Sequence, residues 1–280
     1  MVTSSNRTQI SQQHHGKALQ LFLREELNLS SRQTKTLLDR RTVFVNGKRV
    51  WMAKHTLRKG DVVEWPTPDS GKPLTKKEIP ILYKDAYLMA VHKPAGLISD
   101  LEKNSVEGLL RIQEGNPELR ALHRLDKQTS GVLLFLRTAE HREAYLNLFR
   151  NKEIQKMYQA LLVGPLERDE VTIRKAIDSK QTETHFRVLR RNGNFCKVEC
   201  EIGTGRLHQI RRHALELGCR VAGDNKYGQH IIISHIEKTL PRQMLHAFSV
   251  EFICPQGNNK VKIHAPLPPD FQMAVKKMGL

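Results

Sequence analysis

The stretch "HRLDKQTSGVLLFL", His123–Leu136, joins two unlike halves. Its first part sets one carboxylate, Asp126, among His123, Arg124, Lys127 and the hydroxyls of Thr129 and Ser130. Its second part, "VLLFL", is an unbroken apolar run of strand length, the pattern of a buried strand. An acid so surrounded is either a structural ion-pair partner or a nucleophile that its neighbours keep ionised.

Outward from this stretch, strand and helix patterns alternate. "AYLMAV" is a second short apolar run, "TAEHREAYLNLF" predicts a helix capped by Thr138, and "KMYQALLVG" returns to strand. "TETHFRVLRRNGNFCKVECEI" predicts a hairpin turning at Asn192-Gly193, with Cys196, Val198, Cys200 and Ile202 facing the core. "RLHQIRRHALELG" then predicts a helix carrying Leu207, Ile210, Ala214 and Leu217 on one face, stopped by Gly218. Close-spaced hairpins with a few helices indicate an α+β domain on a largely antiparallel mixed sheet.

The first quarter of the chain reads differently. Residues 1–16 are polar and aperiodic and are expected to form a disordered leader. Residues 17–66 form a small α/β module. It begins with a helix carrying Leu19, Phe22, Leu23 and Leu27, followed by a second helix capped by Ser30 or Ser31. A hairpin at Asn46-Gly47 and a further turn at Gly60-Asp61 complete it. Residues 67–78, rich in Pro, Gly and Lys, are the expected linker, leaving 79–280 as the large domain.

The formal net charge of +17, from 46 Lys+Arg against 29 Asp+Glu, points to a polyanionic partner. No apolar run is long enough to span a membrane, and the N-terminus has no secretory pattern. The expectation is a cytoplasmic protein with no membrane partner. Residues 1–72 carry 13 Lys/Arg against 6 Asp/Glu, a denser excess than the remainder. Arg32, Lys35, Arg40, Arg41, Lys48 and Arg49 cluster there, either as a phosphate-contacting face or as a solvated basic surface. The four cysteines are too few and too irregular for a disulfide framework, and His208 and His213 miss metal-binding helical spacing, so no metal is expected.

Three further features of the large domain bear on chemistry: Tyr158, Arg206 and Arg211. A nucleophilic carboxylate must be ionised and held in place, and a guanidinium does both. Arg211 follows Ile210 of the buried helical stripe and can reach inward. Taken singly, Asp126 and Arg211 read as a structural ion pair, and Tyr158 as a core aromatic with a polar tip.

Taken with the surrounding letters, the balance changes. "HRLDKQTSG" resembles the signature of the RluA-type pseudouridine synthases. "HKPAG" (His92–Gly96), "KMYQALLVG", "GRLHQIRRHALELGCRVAGDNKYG", "MLHAFSVEFICP" and "APLPPDF" resemble that family's other segments in the same order. The loop "LISDLEKN", with Ser99 and Asp100, departs from the pattern. The small module, over about Lys17–Trp65, resembles the S4-like RNA-binding module.

The resemblance implies isomerisation of uridine to pseudouridine in structured RNA, ribosomal RNA before tRNA, without a cofactor. Asp126 is the implied nucleophile, attacking the sugar or the uracil ring. Tyr158 is implied to pack on the target base and Arg211 to pair with Asp126. Arg124 is implied to enter the helix vacated by the flipped nucleotide, and Arg206 to contact RNA. The flip itself is a physical requirement, since a stacked base hides its glycosidic bond. Basic surfaces repel one another, so a monomer is expected. A non-catalytic, ribosome-associated RNA chaperone retaining this fold is the competing reading. An S4-led methyltransferase is disfavoured, because "KPAG" offers only one glycine where a glycine-rich loop is needed.

Overall fold

The structure, a computed structural model, describes residues 5–27, 31, 34, 37–38, 43–50, 52–66, 78–100, 104–228 and 235–280. The chain divides into two compact units, Met1–Lys77 and Glu78–Leu280.

In the first unit, strands β1 (Ser5–Gln9), β2 (Phe44–Val45), β3 (Lys48–Arg49) and β4 (Val62–Pro66) form a sheet in the order β1-β4-β2-β3. Asn46 and Gly47 both take positive φ, 51° and 71°, as a two-residue hairpin turn with the twist of its strands requires. Helix α1 (Leu19–Glu26) buries Leu19, Phe22 and Leu23 in a core shared with Ile10, Val45, Leu57, Val63 and Trp65. The expected disordered leader is corrected here, because β1 pairs antiparallel with β4 over its whole length and Ile10 is buried. Its side chains are polar on both faces, so the pairing rests on backbone hydrogen bonds and leaves no hydrophobic period to read. Of the expected caps Ser30 lies outside the described residues, as do residues 67–77 of the expected linker 67–78.

The second unit is built on one large sheet. Its strands are β5 (Ile81–Lys84), β6 (Leu88–Lys93), β7 (Arg120–Ala121), β8 (Ser130–Leu136), β9 (Gln155–Val163) and β10 (Glu170–Arg174), followed by β11 (Glu183–Asn192), β12 (Phe195–Ile202), β13 (Arg220–Val221), β14 (Leu245–Ile253) and β15 (Lys260–His264). The main path runs β10-β11-β12-β9-β14-β8-β6-β5. Every described pairing is antiparallel except β8 with β14. The fold is therefore α+β on a mixed, mostly antiparallel sheet.

Residues of β6 and β8 divide alternately between two cores. Met89, Val91, Leu133 and Phe135 join one, covered by Val106 and Leu110 of helix Val106–Glu114 and by Ile210 and Ala214 of helix Gln209–Glu216. Leu88, Ala90, Val132, Leu134 and Leu136 join the other, with Tyr145 and Leu148 of helix Arg142–Arg150. All of β8 is buried for this reason, which explains the unbroken run "VLLFL". Helix Pro269–Lys277 adds Phe271 and Ala274 to a further cluster with Leu161, Val163 and Met244.

Three local expectations are corrected. Helix Arg142–Arg150 begins after His141, not at Thr138, whose hydroxyl finds no hydrogen-bond partner among the described residues. The β11–β12 turn falls on Gly193-Asn194, since Asn192 still pairs with Phe195. Leu207 is 61% exposed and precedes helix Gln209–Glu216, because His208, in the left-handed region, sets the helix start one residue later.

Gly131 is where the parallel pairing needs a missing side chain. It sits at φ 122°, and a Cβ there would collide with the backbone of Ala247 on β14. Gly131→Ala is expected to destabilise the second unit by about 1–3 kcal/mol or more, by forcing β8 from β14. A fall in the urea midpoint at unchanged slope checks this.

Candidate active site

Residues 122–129 link β7 to β8 and carry Asp126 on a turn closed by the Thr129 amide donating to the Asp126 carbonyl at 3.0 Å. The turn is held from below. Lys93, fully buried at the end of β6, donates to the carbonyls of Pro94 (2.9 Å), Lys127 (3.1 Å) and Thr129 (2.8 Å). Burial, and then the nearby Arg242, pull its ammonium down to about 7, while Asp126 acts the other way. The Gly96 amide also donates to the Lys127 carbonyl, at 2.8 Å.

The loop that departs from the family pattern has a defined part in this. The buried Ser99 hydroxyl donates to the Leu125 carbonyl (3.0 Å) and accepts its amide (2.9 Å). It thereby fixes the residue beside Asp126. Asp100 lies 3.3 Å from Arg124 Nε.

The sequence neighbours of Asp126 are not the groups that hold its carboxylate. Arg211 Nη1 donates to Oδ2 at 2.9 Å, and the Gln243 amide reaches the same oxygen at 3.4 Å while donating to Thr129 Oγ1 at 3.0 Å. Oδ1 has no hydrogen bond among the described residues; His208 Nε2 stands 3.8 Å from it. His123 faces elsewhere, with Nε2 accepting the Leu134 amide hydrogen at 3.1 Å. Ser130 bonds to His246 Nδ1 (2.9 Å) and accepts from Arg242 Nη2 (3.2 Å).

Arg211 projects from helix Gln209–Glu216 and is 6% exposed. Burial alone would lower its pKa, but Asp224 and Asp126 hold it above the ordinary value. Arg212 points outward to Asp178 at 3.0 Å. Tyr158, on β9 between Cys200 of β12 and Ala247 of β14, is 8% exposed. Burial, with the Asp126 charge behind it, pushes its phenol well above the usual range, so it is neutral at physiological pH.

Asp126 and Tyr158 line a cavity of about 60 Å³ together with Arg124, Arg206 and His208. A groove of about 610 Å³ shares Asp126, Arg124 and Arg206 and adds Lys127, Arg211, Lys226 and Arg242. An anionic side chain shared by a basic groove and a small cavity that an aromatic residue also lines suits a nucleobase whose phosphates lie outside. The large domain thus brings together Asp126, Tyr158, Arg211, Arg124 and Arg206. Arg32, Lys35, Arg40 and Arg41 lie outside the described residues.

Sequence reading missed Lys93, His208 and Gln243. The first two stand inside segments already singled out, "HKPAG" and "GRLHQIRRH". Gln243, just before "MLHAF", has no local signal, because its contact with Asp126 spans 117 residues.

Comparison with known proteins identifies the family. The family model described as RNA pseudouridylate synthase matches residues 87–216. Ribosomal large subunit pseudouridine synthase C of Vibrio cholerae is 33% identical, the match covering 94% of this chain and 93% of that protein. The Uncharacterized RNA pseudouridine synthase YlyB of Bacillus subtilis is 31% identical, with 96% of each chain covered. Among solved structures, Human RNA Pseudouridylate Synthase Domain Containing 1 matches with TM-score 0.59 and 26% identity, over 71% of this chain and 88% of that one. Fold, site and relatives define an RNA-modifying isomerase. The chain belongs to the RNA pseudouridylate synthase family, whose reaction converts uridine in RNA to pseudouridine.

The histidines behind the site set a pH dependence of stability. Burial pulls His246, fully enclosed, down to about 4, and burial with Lys156 nearby pulls His123 down to about 3. Both are neutral in the folded chain, whereas the unfolded chain takes up their protons near about 6.5. Their contribution is complete above that pH and is lost as pH falls toward 4 and then 3. Urea midpoints are expected to fall steadily below about 6.5, adding to the decline that the lowered Lys93 already imposes as pH drops from the ordinary lysine range toward 7. His246→Gln should flatten part of that slope.

Proposed function

We propose that this chain isomerises uridines of ribosomal RNA with Asp126 as the nucleophile. One observation carries the reading: Asp126 lines a cavity together with Tyr158, with Oδ2 held by Arg211 and Oδ1 unbonded among the described residues. A carboxylate held through one oxygen is ionised and aimed, and its other oxygen is available to attack.

Attack on the sugar's anomeric carbon and attack on the uracil ring both start from this oxygen. On either route the bond from the anomeric carbon to N1 breaks, the ring turns, and the anomeric carbon bonds to C5. C5 loses a proton and N1 gains one, so nothing is consumed and the residues alone suffice. Tyr158 packs on the flipped base as a neutral phenol and helps to pass on the C5 proton. Arg124, 70% exposed at the rim, fills the space the base leaves, and Arg206 contacts the backbone. Extrusion costs a few kcal/mol, offset by the basic groove.

Ribosomal RNA is favoured because relatives at 33% and 31% identity are named as synthases of the ribosomal large subunit. The small unit acts as an S4-like module that grips structured RNA through Arg32, Lys35, Arg40 and Arg41. The protein works as a cytoplasmic monomer.

Asp126→Asn is expected to abolish pseudouridine formation, a loss of at least about 10³-fold, while leaving RNA affinity within a few-fold. Tritium release from C5 of labelled uridine in RNA and a filter-binding titration measure the two. A transcriptome-wide pseudouridine map of cells carrying Asp126→Ala then identifies the target. Lost sites confined to tRNA would refute the ribosomal assignment, and an unchanged map would favour the RNA-chaperone reading. Reversing Arg40 and Arg41 to Glu should weaken RNA binding and reduce its salt slope by about 1–2, since each phosphate contact releases about one counterion.

A further inference from the structure

Arg211 is itself held by a group that the reaction scheme leaves out. Asp224, in the turn after β13, takes Arg211 Nε on Oδ2 at 2.6 Å and Nη2 on Oδ1 at 2.8 Å. Its side chain is 1% exposed, and Oδ1 also accepts the amides of Lys226 (2.9 Å) and Tyr227 (3.2 Å). Burial opposes the ionised form, but Arg211 and these amides hold its carboxyl below the ordinary value. The turn is pinned in return, with Arg220 Nη1 donating to the Asp224 carbonyl at 3.1 Å.

The same turn acts on the guanidinium and on His208 at once. Arg211 lies over the Tyr227 ring, 4.9 Å from its centroid, and the Tyr227 hydroxyl bonds to His208 Nδ1 at 2.8 Å. His208 stands at φ 56°, ψ 30°, a conformation that costs a non-glycine residue energy and persists where surroundings impose it.

We propose that Asp224 is a positioning residue for the isomerisation, acting through Arg211 on Asp126. A guanidinium presents its donors as a fixed planar fork and prefers to grip a carboxylate with two of them. Were Arg211 free to turn, it would grip both oxygens of Asp126 and withdraw the attacking one. With Asp224 occupying Nε and Nη2, only Nη1 faces Asp126, and it bonds one oxygen end-on. The pairing also leaves Arg211 and Asp224 together neutral, so the negative charge of Asp126 is steered without being quenched. This inference rests on Asp126 being the nucleophile.

The test compares Asp126→Asn, Asp224→Asn, Asp224→Glu, Arg211→Lys and the double variant Asp224→Asn with Arg211→Lys. All act on total RNA labelled at uridine C5 with tritium, taken from cells lacking the chain. Single-turnover tritium release against enzyme concentration gives a maximal rate and a half-saturating concentration. Asp224→Asn is expected to lower the maximal rate about 10²-fold, the scale of a misplaced reacting group, with half-saturation within about two-fold of wild type. The double variant should be no slower than the slower single variant, because both changes remove one arrangement.

If Asp224→Asn melts below the assay temperature, Asp224→Glu carries the test. It keeps the charge but shifts the fork by one methylene, so it should fold, bind and turn over slowly. Three results would overturn the inference: a wild-type maximal rate in the folded Asp224 variants, losses that multiply in the double variant, or a defect confined to half-saturation. Turnover by Asp126→Asn would instead overturn the nucleophile assignment, whatever the Asp224 variants do.

Discussion

On the proposed reading, a carboxylate that is to attack must stay charged at the edge of a basic groove, yet it cannot be gripped by both oxygens. The ion pair from Arg211 Nη1 to Asp126 Oδ2 satisfies both demands. Much of the second unit can be understood as the support for that one contact. Arg211 comes from a helix packed into the same core as β8, and Asp126 from the turn that leads into β8, so the pair closes only when helix and sheet are docked. In a medium less polar than water such a pair is strongly attractive, but either partner alone is costly. The site and the core therefore depend on each other.

The turn that carries Asp126 is equally constrained. A short loop buried beside a sheet has backbone carbonyls that need partners. Lys93 supplies three bonds from one ammonium, Gly96 adds an amide, and Ser99 brackets Leu125. Arg242 reaches the Gln128 carbonyl at 3.0 Å while its other nitrogens pair with Asp270 at the start of the last helix. Elements from both ends of the second unit thus meet under the turn. Such over-determination fixes the position of the Asp126 carboxylate, as the proposed reaction requires.

Part of this was legible from local letters. Hydrophobic period marked β6, β8, β9 and β12, and the alternation of Cys196, Val198, Cys200 and Ile202 placed all four in the core, where they are buried. The position of Arg211 beside Ile210 indicated a side chain that turns inward, and it does. Local reading failed where backbone bonding, not side-chain pattern, decides. β1 has no apolar face to read, the β11–β12 turn moved by one residue through pairing register, and the expected cap at Thr138 gave way to a later helix start.

The order of segments determined the kind of protein, an RNA-modifying isomerase, because a motif and its strand are local and their letters suffice to state them. The environment of Asp126 is a different matter. The sequence surrounds it with Arg124, Lys127 and His123, but the fold sends His123 to an amide of β8 and brings Arg211 and Gln243 from 85 and 117 residues away. Which oxygen is held and which is open follows from how a helix, a turn and a sheet pack in three dimensions. Coulomb and hydrogen-bond forces act over a few ångströms of space, not along the chain, and only the tertiary structure decides those distances.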